Sequence, residues 1–584
     1  MELEFDVLVV GGGHAGMEAA AAAARMGALT GLISLDAAAI GRMSCNPAIG
    51  GIGKGQLARE VDALGGVMGR IADAVGIQFR LLNTSKGRAV QSPRAQCDRD
   101  AYEIEARRIL GILPNLEILE GEVIDLLWEN KSRKKIAGLQ LADGRSLRAL
   151  AVIVTTGTFL EGVLHTGEKR VVGGRSGEAG AAPMGEVLRS LGLSTGRLKT
   201  GTPPRLDRES INFSNLQEQP GDAIPVPFSF LTDSIIQPQV SCWITQTCPE
   251  THAIVTENLH RSPMHRGAVT GKGPRYCPSL EDKVVRFADR DKHTIFLEPE
   301  GVDSPIVYPN GISTSLPAEV QEDLVRTCPG LEKARIVQPG YAVEYTYVAP
   351  KCLRRTLEVV SVEGLYLAGQ ICGTTGYEEA AGLGLVAGIN AAAKIQGKPD
   401  FVLGRHEAYL GVLVDDLVVC NPDEPYRMFT SRAEHRLLLR HDDADRRLTP
   451  RAAEWGAVDL NRTKRLASRL SRIEKVLSVL EEGGDVDALD IAPGDKTTIE
   501  ADRQYAGYSQ RQEDWVERSR AMEGTELPLG MDFSSVTGLR SEAVESLLDA
   551  RPETLGAAGR LAGVTPADIA LLEVALKKEP TAAL

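Results

Sequence analysis

Residues 5 to 16, "FDVLVVGGGHAG", commit the start of the chain to one local geometry. An apolar run of strand length ends in three glycines and passes directly into the alanine-rich stretch from His14 to Arg25, which reads as a helix packed on a sheet. Gly11, Gly13 and Gly16 stand at the G-x-G-x-x-G spacing. The first allows a tight turn, the second lets the backbone approach a pyrophosphate, and the third lets the helix press on the strand, with the helix N-terminus facing the anion. "ALTGLIS" follows as a second strand, so the order is that of a dinucleotide-binding unit. The acid expected at the end of that strand is replaced by Ser34, with Asp36 two positions later, and the ribose contact is left undefined.

A second glycine-rich stretch, "SCNPAIGGIGKG" (44 to 55), is not a nucleoside-triphosphate loop. The G-x-x-x-x-G-K-[ST] pattern would need glycine at Ala48 and a hydroxyl at Gly55. Two later stretches complete a flavoprotein-like layout. "LAVIVTTGTFLEG" (150 to 162) is a buried strand running into Thr156-Gly157, and "GLYLAGQICGTTGYEEAAGLGLVAGINAAA" (364 to 393) is a strand, a glycine turn with Gly369-Gln370, and a long small-residue helix. One cofactor site is thereby expected from distant parts of the chain.

With 584 residues, the chain has room for several domains. The expected fold is α/β: a Rossmann-type FAD-binding domain of the two-dinucleotide-binding flavoprotein type (1–198 plus 351–402), an inserted α/β domain (199–350) and an all-α C-terminal domain (403–584). Nine cysteines (45, 97, 242, 248, 277, 328, 352, 372, 420) include no C-x-x-C pair, so neither a disulfide framework nor a metal site is expected. No apolar run reaches membrane-spanning length and the first residues carry acids, which reads as a cytoplasmic chain without a membrane segment. The net charge of −13 disfavours nonspecific nucleic-acid binding, yet 427–447 carries six arginines and 462–475 is strongly basic. Those runs read either as solvated helix faces or as a local patch for a polyanion such as RNA.

The chain resembles the GidA/MnmG family of tRNA wobble-uridine modification enzymes essentially end to end. The resemblance rests on "GGGHAGMEAA" (11 to 20), "SCNPAIGGIGKGQLAREVDALGG" (44 to 66), "LKTGTPPRLD" (198 to 207), "GPRYCPSLEDKVVRFADR" (273 to 290), "YPNGISTSLP" (308 to 317), "GQICGTTGYEEAA" (369 to 381) and "EPYRMFTSRAEHRLLLR" (424 to 440). It implies an enzyme that works with the GTPase MnmE, as a homodimer within an α2β2 assembly, on carbon-5 of the wobble uridine of certain tRNAs. The implied cofactors are FAD, NADH as reductant and methylene-tetrahydrofolate as one-carbon donor, with glycine or ammonium as the amine. The helical C-terminal domain is implied to bind tRNA and MnmE, with "YAGYSQRQ" (505 to 512) similar to one of its motifs. A related, shorter folate-dependent tRNA methyltransferase lacks the region corresponding to 424–584. The chain departs from the family pattern at His435 (commonly tyrosine), at Cys372 (commonly asparagine) and in length around 480–500.

The expected flavin-side residues are Gly11, Gly12, Gly13, His14, Ala15, Gly16, Asn46, Gly50, Gly51, Val123, Gly157, Gly369 and Gln370, with Lys54 adding positive charge. Carbon-5 of uracil is a weak nucleophile, and a thiolate adding at carbon-6 turns it into an enolate. Cys45 and Cys277 match family cysteines and are the candidate nucleophiles, each near a cation in sequence, Lys54 or Arg275, able to lower a thiol pKa. A flavin supplies the redox step, as carrier of the one-carbon unit or as hydride donor. The family's NADH segment corresponds to Gly273, Pro274, Arg275, Tyr276, Cys277, Pro278, Ser279, Leu280, Glu281, Asp282, Lys283, Val284, Val285, Arg286 and Phe287, although it lacks a strand, glycine turn and helix, and Arg275 and Lys283 equally suit tRNA phosphate. Lys199, Arg205, Arg427, Arg432 and Arg436 are candidate tRNA ligands. Tyr341 and Tyr345 are read either as sheet packing or as stacking partners for an extruded base.

Overall fold

The computed structural model describes residues 3–178, 180, 183–273, 278–422, 424–482, 491–528 and 530–578. Cys277 and its neighbours Pro274, Arg275 and Tyr276 lie outside the described residues.

The strand Leu3–Val10 lies between Thr30–Ser34 and Ser146–Val154. Leu116–Glu120 pairs beyond the first of these and Leu365–Leu367 beyond the second, all in parallel register. Ile136–Leu141 and Val123–Trp128 add an antiparallel meander on the early half of Ser146–Val154. Val7, Leu8, Val9, Leu32 and Ile33 are buried, so these strands read as unbroken apolar runs because both sheet faces are covered. One cover is the helix His14–Arg25, packed on the helix Tyr377–Ile395. An added Cβ on Gly384 would fall 2.0 Å from Ala15 O, and one on Gly388 2.3 Å from Ala19 O. Small residues on both helices therefore let the two backbones touch, which accounts for the alanine run.

Between these parts the chain builds two antiparallel sheets. One runs Lys169–Val172, Val163–Thr166, Tyr341–Val348, Thr195–Thr202; the other runs Gln217–Gln219, Cys242–Gln246, Thr294–Pro299, Ile306–Asn310, Arg205–Asp207, Ile336–Gln338. The second sheet has its own apolar cluster, from Leu206 to Ala334. A small sheet of Ala48–Gly50, Ser92–Cys97 and Gly76–Leu82 anchors the 44–55 stretch.

Beyond residue 400 the chain is helical. Phe401, Tyr409, Leu413, Met428 and Leu448 belong to the same continuous core as the parallel sheet, whereas Leu527, Phe533, Leu547, Leu555 and Leu572 form a separate one. The arginine-rich runs divide: Arg436, Lys464, Arg472 and Lys475 are exposed, whereas four other arginines are seated on carboxylates. Arg440 is buried against Asp442, Asp443 and Asp502, and Arg447 joins Asp443 to Glu60. Arg462 grips Asp62 with two hydrogen bonds of 2.8 and 3.1 Å, and Arg469 joins Asp445 and Asp495. These guanidinium groups are neither a solvated face nor an open polyanion patch. Arg447 and Arg462 staple the helical half to the helix Lys54–Ala63, which contributes Glu60 and Asp62, while Arg440 and Arg469 tie the helical half to itself.

Candidate active site

A cleft of about 740 Å³ opens at the C-terminal ends of Leu3–Val10, Thr30–Ser34 and Ser146–Val154, where open α/β sheets place their ligands. Gly11, Gly12, Gly13, His14, Ala15, Cys45, Asn46, Gly50, Val123, Gly157, Gln370 and Arg427 all line it. Gly16, Gly51 and Gly369 do not line it; Gly16 and Gly369 pack against the lining residues Gly11, Thr155 and Ala15. A Cβ on Gly16 would fall 1.8 Å from Gly11 O, and Gly11 itself has φ +107°, so the turn closes only with glycine at both positions.

The cleft fits an anionic dinucleotide. Gly13, the N-cap of His14–Arg25, faces open space, and no side chain caps the helix's first amides. His14 Nε2 and Thr156 Oγ1 are buried with no protein partner at the same wall. Burial first, then Arg175 and Lys54, pushes the His14 imidazole down to about 3, so it stays neutral. At the ribose position Ser34 Oγ donates to Asp36 O at 2.8 Å, and the Asp36 carboxylate accepts from Ala38 N at 2.8 Å. The strand end thus presents a local turn where an acid would hold two ribose hydroxyls.

The 44–55 stretch behaves differently from its sequence reading. Gly50 N donates to Glu378 Oε1 at 2.6 Å and Gly51 N to Pro93 O at 2.9 Å, so these two amides are engaged within the protein. An added Cβ would fall 2.7 Å from Met428 O at Gly53 and 2.4 Å from Pro93 O at Gly55. The glycines therefore serve close backbone packing. Lys54 Nζ lies 2.7 Å from Glu378 Oε2 and 3.1 Å from Glu379 Oε2. Burial opposes its charge, but the two carboxylates outweigh burial and hold the ammonium above its ordinary value. Its ammonium is thereby fixed on Glu378 and Glu379 at the cleft wall.

Cys45 faces the cleft with Sγ 3.0 Å from Tyr308 Oη, and its backbone N–H donates to Tyr377 Oη at 2.8 Å. Asn46 Nδ2 donates to Glu298 Oε2 at 2.7 Å, and Arg94 pairs with the other oxygen of the same carboxylate. Burial pushes the Cys242 and Cys328 thiols up to about 12 and those of Cys352 and Cys420 up to about 11, away from nucleophilic use.

Two candidate tRNA ligands are corrected. Arg205 is only 3% exposed, with Nε 2.6 Å from Glu300 Oε1 and Nη1 bonded to Thr202 Oγ1 and Pro203 O. Lys199 is 5% exposed, with Nζ 4.0 Å from Asp282 Oδ2. Both side chains are buried, Arg205 in a network it shares with Arg99 on Glu300 and Lys199 under Gly273. Arg427 lies in the cleft wall with Nε donating to Thr375 Oγ1 at 3.2 Å, Arg432 stacks over Tyr426 with its Nε on Arg427 O, and Arg436 is exposed. Tyr341 lines the cleft, whereas Tyr345 is fully buried in the sheet.

Of the segment expected to meet NADH, Gly273 packs against Lys199, which neighbours the cleft residues Thr200 to Thr202. Pro278 and Ser279 lead into the short helix Leu280–Arg286, where Ser279 and Asp282 cap each other. Leu280, Glu281 and Val284 are buried; Val285, Arg286 and Phe287 are exposed; Lys283 Nζ donates to Gly311 O at 2.7 Å. The described part is a serine-capped helix, without a dinucleotide unit of its own.

Sequence reasoning missed Arg42, Arg94, Arg175, Tyr308, Tyr377 and Glu378 in the cleft. The adjacent acids of "GYEEAA" in an otherwise apolar helix were the available signal for Glu378 and Glu379.

A parallel sheet with a glycine turn at its first strand, an antiparallel meander, a cleft across the strand ends and a C-terminal helical bundle define a Rossmann-type flavoprotein fold. Residues 6–399 match the family described as glucose inhibited division protein A, and residues 515–583 match the tRNA modifying enzyme MnmG/GidA C-terminal helical bundle. The chain therefore belongs to the GidA/MnmG family. It is 49% identical to the tRNA uridine 5-carboxymethylaminomethyl modification enzyme MnmG of Granulibacter bethesdensis, over 97% of this chain and 96% of that protein. It is 48% identical to the protein of that name from Thermodesulfovibrio yellowstonii, over 99% of both chains. The solved structure of Aquifex aeolicus GidA in its form I crystal superimposes with a TM-score of 0.89 at 45% identity, covering 98% of this chain and 100% of that one. Among the described residues no helix is long and apolar enough to cross a membrane.

Proposed function

We propose that the chain modifies carbon-5 of the wobble uridine of certain tRNAs, adding a carboxymethylaminomethyl or aminomethyl group together with the GTPase MnmE. The observation that carries this reading is a thiol, Cys45, in the wall of the dinucleotide cleft, in a chain nearly half identical along its length to proteins named for that modification. In this reading the Gly11–Gly13 turn and the amides at His14 hold the pyrophosphate of FAD, and Gly157 and Gln370 border the same cofactor. Flavin, reduced by NADH, supplies the redox step that joins a methylene-tetrahydrofolate carbon to the base.

The protein's own task is to orient the uridine and activate it. A Cys45 or Cys277 thiolate adds to carbon-6, forming an S–C bond and leaving carbon-5 as the nucleophilic end of an enolate. Loss of the carbon-5 proton after the new bond forms, then elimination of the thiolate, restores the aromatic base. Arg427, Arg432 and Arg436 face the tRNA, and Tyr341 offers an aromatic wall to the extruded base. The remaining parts of the reading are a cytoplasmic homodimer that recruits MnmE as an α2β2 assembly, the Gly273 to Phe287 segment on the NADH side, and a division at residues 198, 350 and 402. Mass spectrometry of tRNA nucleosides tests the activity: 5-carboxymethylaminomethyluridine is expected to vanish in cells lacking the chain and return with its gene. An undiminished level without the chain would refute the reading.

A further inference from the structure

The Cys45 thiol is held from three directions. Its N–H donates to Tyr377 Oη at 2.8 Å, its sulfur lies 3.0 Å from Tyr308 Oη, and the carbonyl of the preceding Ser44 accepts from Arg205 Nη2 at 3.3 Å. The same Arg205 guanidinium stacks over the Tyr308 ring, 4.6 Å from its centroid. Glu300 Oε1 at 2.6 Å, Thr202 Oγ1 at 2.6 Å and Pro203 O at 2.8 Å lock that guanidinium in turn. One buried cation thus fixes both the loop that carries the sulfur and the ring that carries the phenol. Tyr308 is itself 3% exposed, in the strand Ile306–Asn310, and still lines the cleft.

Among the described residues several cations of the cleft wall sit on carboxylates: Arg205 on Glu300, Arg94 on Glu298, Arg175 on Glu178, Arg42 on Glu103 and Glu178, and Lys54 on Glu378 and Glu379. The other titratable groups facing Cys45 are phenols, Tyr308, Tyr341 and Tyr377, of which Tyr377 Oη accepts from the Cys45 backbone. Arg205 feels the Cys45 charge through space, and the group bonded to the sulfur is the Tyr308 hydroxyl.

We propose that Tyr308 is the positioning residue of the Cys45 thiol. When the thiol gives its proton to water, the Tyr308 O–H turns to donate to the sulfur, which favours the thiolate and aims it into the cleft. The inference rests on the proposed function only in taking Cys45 to act on the substrate. In the neutral state either the S–H or the phenol O–H can donate.

The test is the pH profile of Cys45 alkylation by iodoacetamide in the full-length chain as purified, read by mass spectrometry of the peptide containing Cys45. Tyr308→Phe is expected to raise the midpoint by about one pH unit, slowing alkylation roughly tenfold below the midpoint. Replacing Tyr308 with 4-aminophenylalanine keeps the ring and a neutral, weaker N–H donor, so the midpoint is expected to fall between those of the parent and Tyr308→Phe. A Tyr308→Phe midpoint that is unchanged or lower, or a 4-aminophenylalanine midpoint at or above that of Tyr308→Phe, overturns the proposal. If Cys45→Ser retains full wobble-uridine modification while these shifts are seen, the contact stands and the substrate role of Cys45 fails.

Discussion

At the residue scale, what decides a side chain's role here is whether its charge is already matched. Arg205 lies in a loop motif that suits phosphate binding, yet it is buried on Glu300 and holds both Ser44 and Tyr308. Arg205→Ala leaves Glu300 with Arg99 alone and strips the hydrogen bonds to Thr202 and Pro203, and is expected to cost about 2–3 kcal/mol of stability, measured by denaturant unfolding. Arg436→Ala at an exposed position is expected to stay within about 0.5 kcal/mol. His441 shows the same logic with protons. Burial first, then Arg59, pushes its imidazole down to about 3, against an ordinary value of 6.5. Between those values the unfolded chain binds a proton that the folded chain refuses, so stability falls as pH drops through the window. His441→Gln is expected to lose about 2 kcal/mol less than the parent between pH 7.5 and 5, read from unfolding midpoints at the two pH values. The glycine turn was legible at this scale because each glycine answers a local demand. The matching of Lys54 was not, since its carboxylates lie more than 300 residues away in the chain.

At the element scale the strands of the parallel sheet and the helix His14–Arg25 follow from unbroken apolar runs and small residues. The helices beyond residue 400 were visible too, but not the purpose of their arginines. Basic residues at helical spacing look alike whether they face water, RNA or a buried carboxylate, and only the fold brings Asp62 to Arg462. That pair is 5% exposed or less at both side chains. Arg462→Met alone is expected to destabilise the chain by about 3 kcal/mol, because buried Asp62 loses its ion pair and keeps the Phe230 amide. Adding Asp62→Leu is expected to recover part of that loss, since the Phe230 N–H then lacks its acceptor, and a double-mutant cycle of unfolding free energies measures the coupling.

At the scale of the whole molecule, the apolar residues of 401–457 are continuous with the core of the parallel sheet, while those of 527–572 cluster by themselves. The separate bundle is tied back by Arg560 to Asp415 and Glu523, and by Arg355 to the same two acids. A chain stopped at residue 402 is expected to lose solubility through exposed core, whereas one stopped at 524 is expected to keep a cooperative thermal transition, checked by circular dichroism. The central claim is that a thiol of this chain, Cys45 or Cys277, adds to the wobble uridine. It is tested most directly by incubating the full-length chain with tRNA bearing 5-fluorouridine at the wobble position and mapping any covalent adduct by peptide mass spectrometry. The account predicts the nucleotide on the peptide containing Cys45 or Cys277; an adduct on any other residue, or none from a preparation that modifies ordinary tRNA, would contradict it.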